Sequence, residues 1–577
     1  MSVRNAQFPI RIDPYILAET MLTDPNNQAS DAYGFSMAAS AATLIAGAPG
    51  IVYSTGAVNQ SRTGAAYVYT LTSGAWKSQA TLSANDGNGT LGFGTSVSIS
   101  GNLAVVGSPL AHNNTGAAFV FIRSGSSWTM DAELTAADGA SGDYFGWSVA
   151  TSGTAIAVSA VNRNQQAGAV YVFTGSGSSW SQQAEIIPSD VAAGDQFGNA
   201  LYFSGSTLAA ACALHNNVTG AVYVYQQSGS AWPLQAEIAD PGRSQGDYFG
   251  ASVSVSRNTM AVGAIYADNG LGAVYLFTRS GTSWSKAGSI TPSDAVAYGD
   301  FGIAVALSGS RLAVGADGAD NGGTGRQYLY SGAPGSWTLQ NEIVDPHGSA
   351  RDLYGASIAL SLNTLGPGAP GDDAGGLATG AAYADTILVP KSVSLSPTAI
   401  TGGQTSTGTV TLNVPVPSGA GPAIVNLHTN SPDAWTPTTI SIPSGAPSAQ
   451  FVVHSKSVTQ DTPVTVTAQF QGGSASSVLT VAAPVLVSLT LNPNTVKGGN
   501  SVQGTVTLSG TAAADTTVTL TNTNSAATVP ASVIVKKFYS SVKFTIATSS
   551  PGANSVTGTV TATLGANSSS ASLTVTP

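Results

Sequence analysis

Seven residues of this chain have side chains suited to recognition chemistry: Asn113, Asn162, Arg163, His215, Asn216, Tyr266 and Asp268. They fall in polar segments that recur along the sequence: His112-Asn113-Asn114, Asn162-Arg163-Asn164, His215-Asn216-Asn217 and Tyr266-Ala267-Asp268-Asn269. Their amide, imidazole, phenol, guanidinium and carboxylate groups offer paired donors and acceptors, which suit a hydroxyl-rich ligand. Asn and Asp are also ordinary turn formers. Arg163, His215 and Tyr266 are not, so they are the stronger candidates.

The residues that usually carry catalysis are arranged less suggestively. His112, His215, His347, His428 and His454 show no metal-ligand spacing. No Gly-x-Ser-x-Gly elbow separates a strand from a helix. The single cysteine, Cys212, lies in an alanine run and reads as a small buried hydrophobe. Asp143, Asp195, Asp247, Asp300 and Asp352 recur at one place, where a carboxylate accepts from turn amides. Asp317, Asp320, Asp372 and Asp373 read as solvated turn residues. No catalytic residue, metal ligand or cofactor is expected.

The candidate loops are spaced by a repeat. Gly142-Asp143-Tyr144-Phe145-Gly146 returns as Gly194-Asp195-Gln196-Phe197-Gly198 and Gly246-Asp247-Tyr248-Phe249-Gly250. The aromatic occurs seven times, at Tyr33, Phe93, Phe145, Phe197, Phe249, Phe301 and Tyr354. A period near ~50 residues marks a propeller or a solenoid. One unit reads as four strands: Ser148–Thr151, the apolar run Ala155–Val158, Gly168–Phe173, and a strand opened by Trp180. Four antiparallel strands per unit make a propeller blade. The seventh unit ends after Tyr383 without a fourth strand. Leu22-Thr23-Asp24-Pro25 parallels Ile238-Ala239-Asp240-Pro241. Residues 14–24 are therefore predicted to supply the missing strand and close the ring, which removes an open edge.

The Phe-Gly starts, with Gly47-Ala48-Pro49 and Gly107-Ser108-Pro109 ending second strands, resemble FG-GAP repeats over roughly residues 14–388. That resemblance implies a seven-bladed propeller like that of integrin alpha chains and many bacterial surface proteins, with ligands bound on the face that carries the candidate loops. It also implies calcium loops between first and second strands. Here those places read Ser100-Gly101-Asn102, Ser152-Gly153-Thr154 and Ser204-Gly205-Ser206, without acids. Calcium needs six to eight oxygens, mostly carboxylate, so the usual sites are absent and the propeller is expected to hold without metal.

After Lys391 aromatics thin out and Thr, Val and Ser dominate. Ser394-Leu395-Ser396-Pro397 with Gly402-Gly403 recurs as Thr490-Leu491-Asn492-Pro493 with Gly498-Gly499. About seven short alternating strands per copy predict two immunoglobulin-like sandwiches, similar to those of bacterial surface proteins. The predicted fold class is all-β: a propeller over 1–388, then sandwiches over 389–484 and 485–577.

Charged residues are only 8% of the 577, and the net charge is −10. No basic stripe is present for nucleic acid, and no apolar run is long enough to span a membrane. Residues 1–9 hold no apolar core of a secretory signal. The composition nevertheless reads as extracellular or cell-surface, with the virion surface as the alternative. The expected function is adhesion to a glycan or protein through the propeller face, with the sandwiches as stalk. A structural subunit of a fibre, sheath or virion, capable of self-assembly, is the second reading. A glycan-active enzyme is the third; it would need acids or histidines in the central funnel.

Overall fold

The computed structural model describes residues 17–22, 31–54, 57–60, 63–84, 91–242, 244–294, 296–319, 322–345, 348–372, 379–418 and 420–577. The chain divides into two compact units, Met1–Ile387 and Leu388–Pro577.

The first unit holds seven four-stranded antiparallel sheets. Blade three is typical: Phe145–Thr151, Ala155–Ala160, Ala169–Ser176 and Ser179–Ile186, each paired with the next. All six residues of its second strand are buried, because neighbouring blades cover both faces of the sheet. That is why the sequence there is a continuous apolar run. The fourth strand alternates toward solvent and buries Ile186. One core cluster joins Val105 and Val120 of blade two to Phe145, Val158 and Tyr171 of blade three. The recurring aromatics therefore pack between blades. Within a blade they meet edge-on, with Phe145 and Tyr171 rings 5.5 Å apart and Phe197 and Tyr223 5.4 Å apart.

Successive blades are tied by backbone. The amide of Phe145 donates to Thr115 O at 3.0 Å, that of Phe197 to Ala167 O at 2.8 Å and that of Phe249 to Thr219 O at 3.1 Å. On the opposite face the serine ending a first strand accepts from the next blade's first turn. Ser204 Oγ receives the Arg257 amide at 3.2 Å and Ser256 Oγ the Gly309 amide at 3.1 Å.

The ring closes through the same joints. Leu17–Leu22 pairs antiparallel with Ala381–Ile387 and completes blade seven; the remainder of the predicted 14–24 segment lies outside the described residues. The Tyr33 amide donates to Thr379 O at 3.0 Å, and the Ala41 amide to Ser361 Oγ at 2.9 Å.

The closing strands carry an electrostatic fault. Glu19 faces Asp385 directly across the ladder. Asp385 is 0% exposed, and both of its carboxyl oxygens lack a hydrogen-bond partner. Burial first, then Glu19, hold its carboxyl well above the usual range. The unfolded chain releases this proton near pH ~3.9 and the folded chain only at higher pH. Between those values the folded state binds more protons, so stability falls as pH rises. Asp385→Asn keeps the shape and removes the ionisable group. It is expected to raise stability at pH ~8 by about 1–3 kcal/mol and to flatten the loss between pH ~5 and ~8. Urea unfolding of both proteins at the two pH values checks this; an unchanged difference between them would reject it.

The second unit contains two copies of one arrangement. Each has a four-stranded and a five-stranded sheet. Short strands that the pattern did not predict, Ala399–Thr401 and Thr495–Lys497, pair parallel with Gly473–Ala482 and Asn567–Thr576. In both copies a phenylalanine ring covers a glycine, Phe451 over Gly408 and Phe544 over Gly504, where a Cβ would lie 2.2 and 2.3 Å from the ring.

Candidate functional site

Five of the seven candidate residues lie on the left-handed turns that follow second strands, and the other two, Asn162 and Tyr266, open two of those turns. His112, Asn113 and Asn114 have φ of 50, 58 and 66°; Asn216, Asn217 and Val218 have 50, 57 and 66°; Asp268 and Asn269 have 54 and 63°. Each turn is closed by a glycine amide, as Gly116 to Ala111 O at 3.0 Å and Gly220 to His215 O at 3.0 Å. Asn and Asp enter this region at lower cost than other L residues. The asparagine-rich loops are thus explained by backbone conformation. Asn113, Asn216 and Asp268 are exposed on them, and Asn162 is half-buried.

Arg163 and His215 are placed otherwise than the sequence suggested. Each sits at the foot of its turn, pointing into a slot inside the blade. The slot is bounded by a loop acid, the acid before the Phe-Gly aromatic and the third-strand tyrosine. In blade three Arg163 pairs with Asp138 and, at 3.2 Å, with Asp143 Oδ2, while the Tyr171 hydroxyl donates to Asp138 Oδ1 at 3.0 Å. In blade four His215, 3% exposed, has Nδ1 2.7 Å from Asp195 Oδ2 and Nε2 3.8 Å from Asp190 Oδ2. These two side chains are partnered with internal acids, so replacing them costs stability rather than only a ligand contact. The acids also hold turns, as expected: the Ala140 amide donates to Asp143 at 2.8 Å and the Ala192 amide to Asp195 at 2.9 Å. Cys212 is buried beside them, its thiol donating to Asp195 O at 3.3 Å and pushed up by burial.

The remaining candidate, Tyr266, belongs to a row of aromatics. Its ring meets Tyr248 edge-on at 5.0 Å and Tyr298 at 6.1 Å. Tyr298 is 73% exposed and left-handed, with φ 62°. All three tyrosines are on loops, and they span the seam between blades five and six. Burial and then Asp300 raise the Tyr266 phenol, with smaller contributions from Asp317 and the other two tyrosines. Burial and Asp300 push Asp317 up to about 7. Tyr248 and Tyr298 were not among the predicted site residues. The available signal was position: Tyr144, Gln196, Tyr248 and Leu353 occupy one left-handed site before the Phe-Gly aromatic, and that site varies between blades. Asp300, with φ 55°, occupies it too. It therefore does not belong with Asp143 and Asp195, whose place two residues before the aromatic is taken in unit six by Gly299.

A backbone hairpin, Ile51–Ser54 with Ala57–Gln60, also extends from blade one after its second strand. The first hairpins do not fit the calcium loops that the resemblance implies. Their serines are engaged by the next blade's amides, and no acid stands in those turns. The propeller axis is lined by first strands. Its cavity, about 210 Å³, is bounded by Met37, Val149, Leu201, Val305 and Ile358 together with Ser98, Thr151 and Tyr202, with no acid or histidine in the lining. No helix among the described residues is long and apolar enough to cross a membrane.

Residues 76–121, 128–173, 180–225, 232–277, 284–330 and 337–384 match the FG-GAP repeat family. The first unit is an FG-GAP repeat propeller. Each matched segment starts on the outer strand of one blade and ends on the third strand of the next, so it spans the joints described above. The first three strands of blade one and the closing strand lie outside the matches but use the same joints. No curated protein matches the chain. Among solved structures, the D0-D1 domain of intimin is 14% identical, with 33% of this chain and 100% of that one covered and a TM-score of 0.15. The Yersinia pseudotuberculosis adhesin InvE is 12% identical over 32% and 58%, with a TM-score of 0.18. A Phanerochaete chrysosporium exo-beta-1,3-galactanase is 9% identical over 57% and 94%, with a TM-score of 0.26. None of these likenesses bears on what the FG-GAP propeller recognises.

Proposed function

We propose that the protein is a non-enzymatic recognition protein of an extracellular surface, and that its propeller face binds a glycan. The observation that carries this reading is the Tyr248–Tyr266–Tyr298 row. Sugar rings present apolar C–H faces and hydroxyl edges. Aromatic faces take the first, and the nearby carboxylates of Asp268 and Asp300 accept from the second. Loops held by a rigid ring are the usual place for such a surface. The axis is lined without an acid or a histidine, which is in keeping with a binding role.

Tyr298 is mostly exposed, so Tyr298→Ala is expected to leave the melting temperature within about 1 °C, as surface changes do. Loss of one stacking face is expected to weaken glycan binding about 5–10-fold, in line with ~1 kcal/mol for such a contact. A glycan array, followed by titration of the best hit against both proteins, measures it. Unchanged affinity in the variant, with binding lost on removal of residues 388–577, would move recognition to the sandwiches. A wild-type protein that binds no glycan but assembles into polymers would favour the structural-subunit reading.

A further inference from the structure

The two sandwiches repeat one turn with different side chains. In the first copy it reads Pro443-Ser444-Gly445-Ala446-Pro447, and in the second Lys536-Lys537-Phe538-Tyr539-Ser540. The hydrogen bonds correspond one to one. The Gly445 amide donates to Val416 O at 2.8 Å, and the Phe538 amide to Ala512 O at 2.8 Å. The Ala446 amide donates to Pro443 O and the Tyr539 amide to Lys536 O, both at 3.0 Å. Ala446 O accepts the Val416 amide at 3.0 Å, and Tyr539 O the Ala512 amide at 2.9 Å. Both turns hold their third residue in the left-handed region, Gly445 with φ 77° and Phe538 with φ 70°. Glycine enters that region freely, whereas an aromatic residue is strained there. The second copy carries the strain without burying the ring: Phe538 is 70% exposed and Tyr539 65%. Folding gains little from either ring, so the strained turn points to a contact outside the chain.

The charges around the rings indicate what that contact is. Residues 536–543 hold three of the chain's eight lysines and no acid, although the net charge of the chain is −10. Lys536 pairs with Asp515 at 2.8 Å. Lys537 Nζ stands 4.8 Å from the centre of the Phe538 ring, so ammonium and ring are presented together. Lys543 is exposed on Ser541–Thr548, the strand that leaves the turn. Two such rings cover ~300–500 Å², well below the ~800 Å² that each partner gives to a stable protein interface. A lipid surface needs no matching shape. It takes aromatic rings at the depth of its headgroups and lysines at its phosphates. It also requires that any backbone entering it be hydrogen-bonded already. The amides of Lys537, Phe538 and Tyr539 all bond within the domain, the first to Asp515 Oδ1 at 3.0 Å.

We propose that turn 536–539 of the second sandwich docks on an anionic lipid surface. Phe538 and Tyr539 enter the headgroup layer, and Lys537 and Lys543 meet the phosphates. The first sandwich, with proline, serine and glycine in the same turn, has no such contact. The docking point belongs to the second unit and is independent of what the propeller face binds.

The full chain is sedimented with vesicles of phosphatidylcholine alone, and with vesicles that also contain phosphatidylglycerol. It is expected to pellet with the anionic vesicles only, and to be released when salt is raised to about 0.5 M. Phe538→Gly gives this turn the residue that the first copy already uses. It is expected to keep or raise the melting temperature and to bind the anionic vesicles about tenfold more weakly, or less still. Lys537→Gln is expected to weaken binding about fivefold, the share of one lysine near such a surface. A wild-type protein that stays in solution with anionic vesicles would overturn the proposal. So would equal binding to both kinds of vesicle, or a Phe538→Gly protein that binds as the parent does. Retention on a soluble anionic polysaccharide that Lys537→Gln abolishes, without vesicle binding, would assign the turn to that polymer instead.

Discussion

A protein lacking residues 1–22 is expected to lose the cooperative propeller transition or to melt at least about 10 °C lower, with aggregation. The strand Leu17–Leu22 makes six register pairs with Ala381–Ile387, and all seven residues of that partner strand are buried. Leu22 packs in one cluster with Tyr33, Tyr67 and Ala382, so it seals the seam between blades seven and one. The seam is tied further out by Trp76, whose Nε1 donates to Thr386 Oγ1 at 3.3 Å. Removal would leave an unpaired, apolar edge strand, which templates association with other chains. Domains are stable by only ~5–15 kcal/mol in total, and several buried side chains at ~1.5–3 kcal/mol each would be uncovered. Calorimetry and light scattering of the truncated and full chains measure the effect. A synthetic peptide of residues 14–24 should restore part of the lost stability. An unchanged melting temperature would mean that the ring is held shut by the joints at Tyr33 and Ala41 alone.

This strand was legible in the sequence because its spacing obeys the repeat. Leu22 precedes Tyr33 as Leu134 precedes Phe145, and a strand that buries the same column must keep the same residue type. The blades were legible for the same reason, since each second strand is covered on both sides and must be apolar throughout. Pairings across the repeat were less visible. His215 looked like a ligand residue because histidine is a poor turn former. Its actual partners, Asp190 and Asp195, lie 25 and 20 residues away, and only the fold brings them within reach. The tyrosine row was missed because Tyr248, Tyr266 and Tyr298 come from three different loops. The Gly-Asp pair of unit six stands one residue nearer its aromatic than in units three to five, and this hid the correspondence of Asp300 with Tyr248. The left-handed turns were hidden too. Gln165, Gln166 and Val218 adopt positive φ there without being residues that favour it, because the glycine that closes each turn and the next blade's backbone fix the path. The short parallel strands of the sandwiches, three residues each, are too brief to show any period.

The blade joint itself gives the other large effect. Gly220 has φ +92°, and a Cβ there would lie 1.9 Å from Phe249 O and 2.8 Å from its carbonyl carbon. Neither neighbour can yield, because Phe249 is fully buried and its amide is bonded to Thr219 O. Gly116 meets Phe145 O at the same 1.9 Å, so the repeat needs a glycine here for contact as well as for conformation. Gly205, in the first hairpin of blade four, shares the conformation without the contact: its φ is +58°, and nothing lies within 4 Å of a Cβ. Gly205→Ala should therefore cost only the ~1–2 kcal/mol of a left-handed alanine. Gly220→Ala must in addition push blade five away from blade four, and the expected cost exceeds ~4 kcal/mol, the range of exceptional single substitutions. Urea unfolding of the two variants beside the parent separates the contributions. Equal losses would show that conformation alone explains the glycine column and that the blades can slide apart by the missing ångström.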